Sequence, residues 1–158
     1  MSDPSALAAA LGRMPCGLYI LSTRKDDQPL GLVASFVMQV GLEPPRVAVA
    51  VGTGRGSLEA LRETGGFTLS ILDEGSSACM GGFFKAPPEG QTPFDSLETC
   101  EAPSGLLVLT DSLAWLDCRV VGEFDGGDHA VVFGEVQAGA QLHPGEPSIH
   151  LRKNGLSY

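Results

Sequence analysis

The sequence predicts a mainly β protein, an antiparallel barrel with a few short helices. Three observations carry that expectation. The 158 residues include 21 glycines and 11 prolines, about a fifth of the chain, which suits many short strands and turns better than a helix bundle. Short apolar runs rich in β-branched residues recur between polar turns. The helical stretches are short and fall at the start of the chain or between strands.

The elements follow in order. Residues 1–12 read as a helix: Ser2 or Asp3 caps it, Pro4 suits its first turn, Ala and Leu repeat to Leu11, and Gly12 ends it. Leu18 to Leu21 is a strand, Lys25 to Pro29 a polar turn, and Leu30 to Val40 a second strand antiparallel to the first. Glu43-Pro44-Pro45 breaks the chain, and Arg46 to Val51 is apolar enough for a buried central strand. The loop Gly52 to Gly56 leads into a short helix, Ser57 to Thr64, capped by Ser57 and closed by Gly65. Phe67 to Leu72 alternates as a strand does, and Glu74 to Phe84 reads as a short helix. Residues 85–103 hold four prolines and read as a long surface loop. Leu113 to Phe124 and His129 to Leu142 are long strands joined by the hairpin turn Asp125-Gly126-Gly127-Asp128. Ile149 to Tyr158 places an Arg-Lys-Asn-Gly turn between short extended pieces. No repeat or linker divides the chain, so residues 1–158 read as a single domain.

Composition narrows the function. Ten Lys and Arg against nineteen Asp and Glu give a formal charge of −9. That balance lacks the basic face of a nucleic-acid binder and the basic patch that docks on anionic lipid. No run of about 18 apolar residues offers a membrane span. No positive charge precedes the N-terminal apolar stretch as in a signal peptide, so a cytoplasmic location is expected. Cys16, Cys79, Cys100 and Cys118 make no CxxC pair and no zinc spacing. They read as small core or loop residues in a reducing compartment, and no metal site is expected.

Chemistry-bearing residues are few. In Gly52-Thr53-Gly54-Arg55-Gly56-Ser57 the glycines admit close approach of a ligand to the backbone. The start of the helix offers N–H groups and the positive end of its dipole, and Arg55 adds a planar cation. A phosphate is the natural guest; the alternative is a glycine-rich turn with an ordinary cap. Ser35 and Gln39 are four residues apart, so a regular strand would turn both to one side, either toward a flat heteroaromatic or toward solvent at a barrel rim. His129, after its tight turn, is placed either to touch a cofactor or substrate or simply to face water. No GxSxG elbow is present, so hydrolysis by a nucleophilic serine has no motif.

Six segments together resemble the flavin reductase-like family, whose fold is a dimeric FMN-binding split β-barrel with Greek-key-like antiparallel strands. They are GLYILSTR (Gly17 to Arg24), GLVASFVMQVGLEPPRVAVAV (Gly31 to Val51), SLEALRETGGFTLSIL (Ser57 to Leu72), LDCRV (Leu116 to Val120), GDHAVVFGEV (Gly127 to Val136) and HLRKNGLSY (His150 to Tyr158). Within the family the chain looks most like the flavin reductase module of flavodiiron proteins, sharing the Thr110 to Leu116 segment and the closing tail.

The resemblance implies that Val33, Ala34, Ser35, Phe36 and Gln39 line the isoalloxazine and that Thr53, Arg55 and Ser57 hold the FMN phosphate. It also implies that His129 sits near the ring or the nicotinamide, and that Arg152 and Tyr158 lie close to the flavin or the dimer seam. FMN is favoured over FAD because there is one phosphate loop and no adenosine motif. NAD(P)H would be the hydride donor and an electron-acceptor protein the onward partner. The alternatives are an FMN-binding electron-transfer module for a rubredoxin or oxygen reductase, and a flavin-free barrel acting as a binding protein. Relatives carry Thr, Asn and Ser where this chain has Val33, Ser35 and Gly41, which removes side-chain flavin contacts.

Overall fold

The computed structural model describes residues 3–157. Its helices are α1 (Pro4–Leu11), α2 (Ser57–Thr64) and a 3-10 turn over Ser77–Phe83. Its strands are β1 (Tyr19–Lys25), β2 (Gln28–Ala34), β3 (Val37–Leu42), β4 (Pro45–Gly52), β5 (Gly66–Ile71), β6 (Thr99–Glu101), β7 (Leu107–Leu109), β8 (Ala114–Asp125) and β9 (His129–Gln141). Seven strands form one antiparallel sheet in the order β2-β1-β5-β8-β9-β4-β3, and β6 and β7 form a separate hairpin. α2 carries the chain from β4 to β5 past β9 and β8. The two outermost strands, β2 and β3, are consecutive in sequence, and the Phe36 carbonyl between them accepts from Ala50 N–H at 2.9 Å. The sheet is therefore rolled into a barrel whose seam is the Ser35-Phe36 link.

Side-chain alternation assigns the two faces. On β1, Leu21 turns into the barrel with Val49, Leu61, Phe67, Leu69 and Val132. Its neighbour Ile20 turns outward into a second cluster with Leu72, Phe94 and Leu109. On β5, Phe67 and Leu69 fill the barrel while Thr68 and Ser70, also fully buried, point outward. There Thr68 Oγ1 donates to Leu107 O (2.6 Å) and Ser70 Oγ accepts from Leu109 N–H (3.0 Å), which pins β7 over the sheet. These two buried hydroxyls are thus satisfied by the hairpin that covers them. Inside the barrel β9 carries Gly134 where β5 presses closest: a Cβ there would stand 2.5 Å from Phe67 Cζ and 3.0 Å from Cys118 Cβ. Burial beside Asp117 pushes the Cys118 thiol up to about 12, so it stays neutral and packs as a small apolar group.

Several expectations hold. α1 ends on Gly12 and is capped by Asp3; Ser2 lies outside the described residues. The Lys25 to Pro29 turn is a tight hairpin in which Asp26 and Asp27 both take positive φ (50° and 62°). The β8–β9 hairpin closes with Gly126 N–H on His129 O at 2.9 Å.

Others are corrected. The run from Leu30 to Val40 is two strands, because the chain turns the barrel corner at Ser35-Phe36. β4 is buried but lies next to the edge strand β3, so it is not central. Residues 85–103 are not all surface loop: Phe94 is buried at 4% exposure and Thr99 to Glu101 is strand. The Phe94 ring stacks edge-on with Phe83, centroids 5.2 Å apart, so this proline-rich stretch covers the outer cluster.

Candidate functional site

The barrel seam gathers residues from four distant parts of the chain. Phe36 leaves the β2–β3 corner, and its ring meets the His129 imidazole edge-on, with centroids 5.7 Å apart and planes at 63°. The Arg152 guanidinium lies over the Phe36 ring, 4.7 Å from its centroid, a cation–π contact. His129 opens β9 and pairs in register with Gly52, the last residue of β4. Its Nδ1 is 3.0 Å from Asp128 Oδ1. That contact fixes the ring's orientation and holds the Asp128 carboxyl below the usual carboxylate range. Thr53 closes the group: its N–H and Oγ1 both donate to Asp128 O, at 3.0 and 3.2 Å.

Arg152 is held from behind. Its carbonyl accepts from Arg13 Nη2 at 2.9 Å and its Nη1 donates to Gly155 O at 3.3 Å. The backbone beside it pairs through Cys16 and His150. Its Nε is buried with no hydrogen-bond partner among the described residues. A buried donor left without an acceptor costs free energy, so this guanidinium is poised for an acceptor that the chain itself does not supply.

One step along the loop, α2 begins. Its N-cap is Gly56, at φ 68°, and no side chain caps the helix. The expected cap, Ser57, is instead the first helical residue, buried at 7% exposure. The first-turn N–H groups and the positive end of the dipole therefore remain available to an anion. Arg55 beside them is exposed.

The predicted residues divide accordingly. Phe36, His129, Arg152 and Thr53 come together, with Arg55 and Ser57 on the adjoining loop. Val33 packs into the outer cluster and Ala34 into the barrel core, so only their backbone groups are left for a ligand. Ser35 is half-buried in the corner itself. Gln39 does not share a strand with it; its amide donates to Gly41 O across a bulge in β3, at 3.1 Å. Tyr158 lies outside the described residues. Asp128 was missed, although its place directly before His129 in the hairpin turn was a signal.

A cavity of about 550 Å³ lined by Asp73, Ser76, Cys79, Glu98, Asp111 and His143 includes no predicted site residue. Among the described residues no three His, Cys, Asp or Glu side chains stand together to hold a metal ion. No helix there is long and apolar enough to cross a membrane.

The seam thus pairs a flat aromatic and cationic surface with a neighbouring helix N-terminus that no side chain caps, and the residues present fit a ring system that carries a phosphate. Comparisons with known proteins point the same way. Residues 11–154 match the family model for the flavin reductase like domain. Diflavin flavoprotein A 1 of Synechocystis sp. is 36% identical over 157 residues, which is 98% of this chain and 27% of that protein. The chain spans about a quarter of the length of the curated relatives it matches. Among solved structures, the NADH:FAD oxidoreductase SgcE6 of Streptomyces globisporus C-1027 superposes with a TM-score of 0.86 at 25% identity, covering 96% of this chain and 91% of that one. Nitrilotriacetate monooxygenase component B from Mycobacterium thermoresistibile superposes with a TM-score of 0.84 at 27% identity, covering 94% and 82%. Family model, sequence identity over nearly the whole of this chain, and barrel agree: this chain belongs to the flavin reductase like family, and within it resembles the domain carried by the diflavin flavoproteins.

Proposed function

We propose that the chain is an NAD(P)H:FMN reductase, a single cytoplasmic domain that takes reducing equivalents from a nicotinamide nucleotide and passes them onward. The observation that carries this reading is the adjacency of two subsites. The Phe36, His129 and Arg152 cluster offers a surface for a flat ring, and one hydrogen-bonded step away the uncapped α2 offers a seat for a phosphate. Bound there, FMN would supply the redox chemistry, accepting a hydride at N5 from the nicotinamide. Phe36 and Arg152 would set the plane of the ring, and the orphaned Arg152 Nε would gain an acceptor. Asp128 would hold the His129 imidazole in place beside the ring or the nicotinamide. The backbone of Val33, Ala34 and Ser35 would meet the polar edge of the ring, and Thr53, Arg55 and Ser57 would hold the phosphate. This chemistry requires no protein nucleophile. The structurally similar Streptomyces protein is an NADH:FAD oxidoreductase by name, which supports a nicotinamide donor; the single anion seat supports FMN over FAD here. Four unpaired cysteines suit a reducing compartment.

We further propose a homodimer. Edge strand β3 exposes Met38, Val40 and Leu42 at 65%, 41% and 85%, apolar side chains on an unpaired strand edge that a second copy would cover. A second reading is an FMN-bearing electron-transfer module working with a separate acceptor protein. It is favoured by the chain's spanning only about a quarter of its diflavin relatives.

The test is an absorbance spectrum of the purified protein before and after loading with FMN, followed by anaerobic mixing with NADH and NADPH. Bands near ~370 and ~450 nm that bleach with one nucleotide are expected. His129→Ala should slow bleaching more than it weakens FMN. A protein that stays colourless after loading would overturn the flavin reading. One that binds FMN but is bleached by neither nucleotide would replace the reductase with the electron-transfer module.

A further inference from the structure

We infer that the end of α1 is a splint for the flavin site: its last turn and Arg13 hold the segment that carries Arg152 so that the guanidinium stays over Phe36, which makes Arg13 a positioning residue for the flavin. This rests on the flavin reading above and adds to it an element and a residue.

The helix contributes little else. α1 buries none of its residues, and among the described residues none of them belongs to either hydrophobic cluster. Its contacts converge on one segment. Beyond the isolated bridge between Cys16 and His150, the described chain carries neither helix nor strand, so no sheet ladder sets where Arg152 stands. The end of α1 sets it instead. Arg13 Nη2 donates to the Arg152 carbonyl at 2.9 Å. Gly12 lies against the same oxygen: a Cβ on it would stand 2.5 Å away. Gly155 N–H donates to Ala8 O, in the last helical turn, at 2.8 Å, and Gly155 O accepts from Arg152 Nη1 at 3.3 Å. A Cβ on Gly155 would run into Leu11 and stand 2.7 Å from Gly12 N. Each of the two glycines is bare where the other segment presses, so the fit is close on both sides.

What this backing holds is the side chain at the ring site. The guanidinium carbon lies 4.7 Å from the Phe36 centroid, and Nε is buried with no hydrogen-bond partner among the described residues. An arginine free to swing would turn that donor to water. A backbone fixed in advance keeps the donor aimed at its site and spares a ligand part of the ordering cost of binding.

The test is an FMN titration of the wild type, Arg13→Ala, Arg152→Ala and the double variant, with urea unfolding of each. Arg152→Ala should weaken FMN by about tenfold, the scale of one charge-assisted hydrogen bond. Arg13→Ala should weaken it by about fivefold, the scale of one ordinary hydrogen bond, without moving the urea midpoint, because this side chain is exposed. The double variant should bind FMN as Arg152→Ala does, since no guanidinium is left to position. Arg13→Lys, which restores a donor, should recover most of the loss. Gly155→Ala, which parts the segment from α1 by bulk alone, should weaken FMN in the wild type and not in Arg152→Ala. In the ligand-free protein the Gly155 amide should exchange faster with solvent in Arg13→Ala. Losses that add in the double variant overturn the inference, because Arg13 would then act independently of Arg152. Wild-type FMN affinity in Arg13→Ala, or in Arg152→Ala, overturns it and leaves the flavin reading intact. A wild type that binds no FMN overturns both.

Discussion

The two eight-residue α-helices begin in opposite ways. α1 is capped by its own chain: the Asp3 carboxylate accepts from Ser5 N–H at 3.0 Å and from the Ser5 hydroxyl at 2.7 Å. α2 starts from a left-handed glycine with no side-chain acceptor. Their packing is reversed as well. α1 buries none of its residues, whereas α2 buries Leu58 and Leu61 to 2% and 1% exposure, each worth roughly 1.5–3 kcal/mol. A helix held by its buried face does not need a cap to survive, so its N-terminal donors are left for a guest. A helix lying on the surface must satisfy its own end. The molecule separates stability from binding by assigning them to different helix termini.

The strongest challenge to that separation is Gly56→Val. A β-branched residue at φ 68° is expected to cost about 1–2 kcal/mol of stability. FMN affinity should fall by more than about tenfold, because the donors themselves are displaced. Urea unfolding and an FMN titration measure the two effects, and intact FMN affinity in a destabilised variant would sever the link between this terminus and the ligand. Arg55→Ala sharpens the comparison instead. The side chain is exposed and unpaired among the described residues, so the urea midpoint should not move. FMN binding should weaken by roughly 1–3 kcal/mol. Unchanged FMN binding would remove Arg55 from the site.

What the sequence revealed of this contrast follows from the range of each signal. Local signals were legible. Asp3, Pro4 and Gly12 bracket α1, and the Asp-Gly-Gly-Asp turn joins β8 to β9, because caps and tight turns depend on residues a few positions apart. The barrel corner at Ser35-Phe36 was not legible: the apolar run continues through it, and what bends the chain is closure against Ala50. Ser57 was misread as the cap because a serine before an apolar run is the usual signature, while a left-handed glycine cap shows only in the backbone. The β6–β7 hairpin lay hidden because its outer-face partners, Thr68 and Ser70, belong to another strand. Of the site, the resemblance to the flavin reductases supplied Phe36, His129 and Arg152 as candidates, but only the fold stacks them.

The smallest expected effect falls at the other terminus and tests the comparison from its quiet side. Asp3→Ala removes the α1 cap and leaves the α2 end untouched. FMN affinity should therefore stay at the wild-type value, while the urea midpoint drops slightly and the amides of the first α1 turn exchange faster with solvent. The effect should depend on pH with a definite sign. Hydrogen bonds from the Ser5 hydroxyl and then the Ser5 N–H hold the Asp3 carboxyl below its ordinary value of 3.8. A carboxyl whose folded-state value is depressed stabilises the fold in full above the unfolded value and loses that contribution as pH falls through the folded one. The wild type should therefore exceed Asp3→Ala in stability by a constant margin above about pH 5, and the margin should close as the pH drops below 3.8. A margin that persists in acid would mean that Asp3 acts through backbone geometry at the cap instead of its charge. An Asp3→Ala variant with weakened FMN would mean that the two helix termini are coupled, through the Arg13 contact to Arg152, and that the division between a stabilising end and a binding end is not complete.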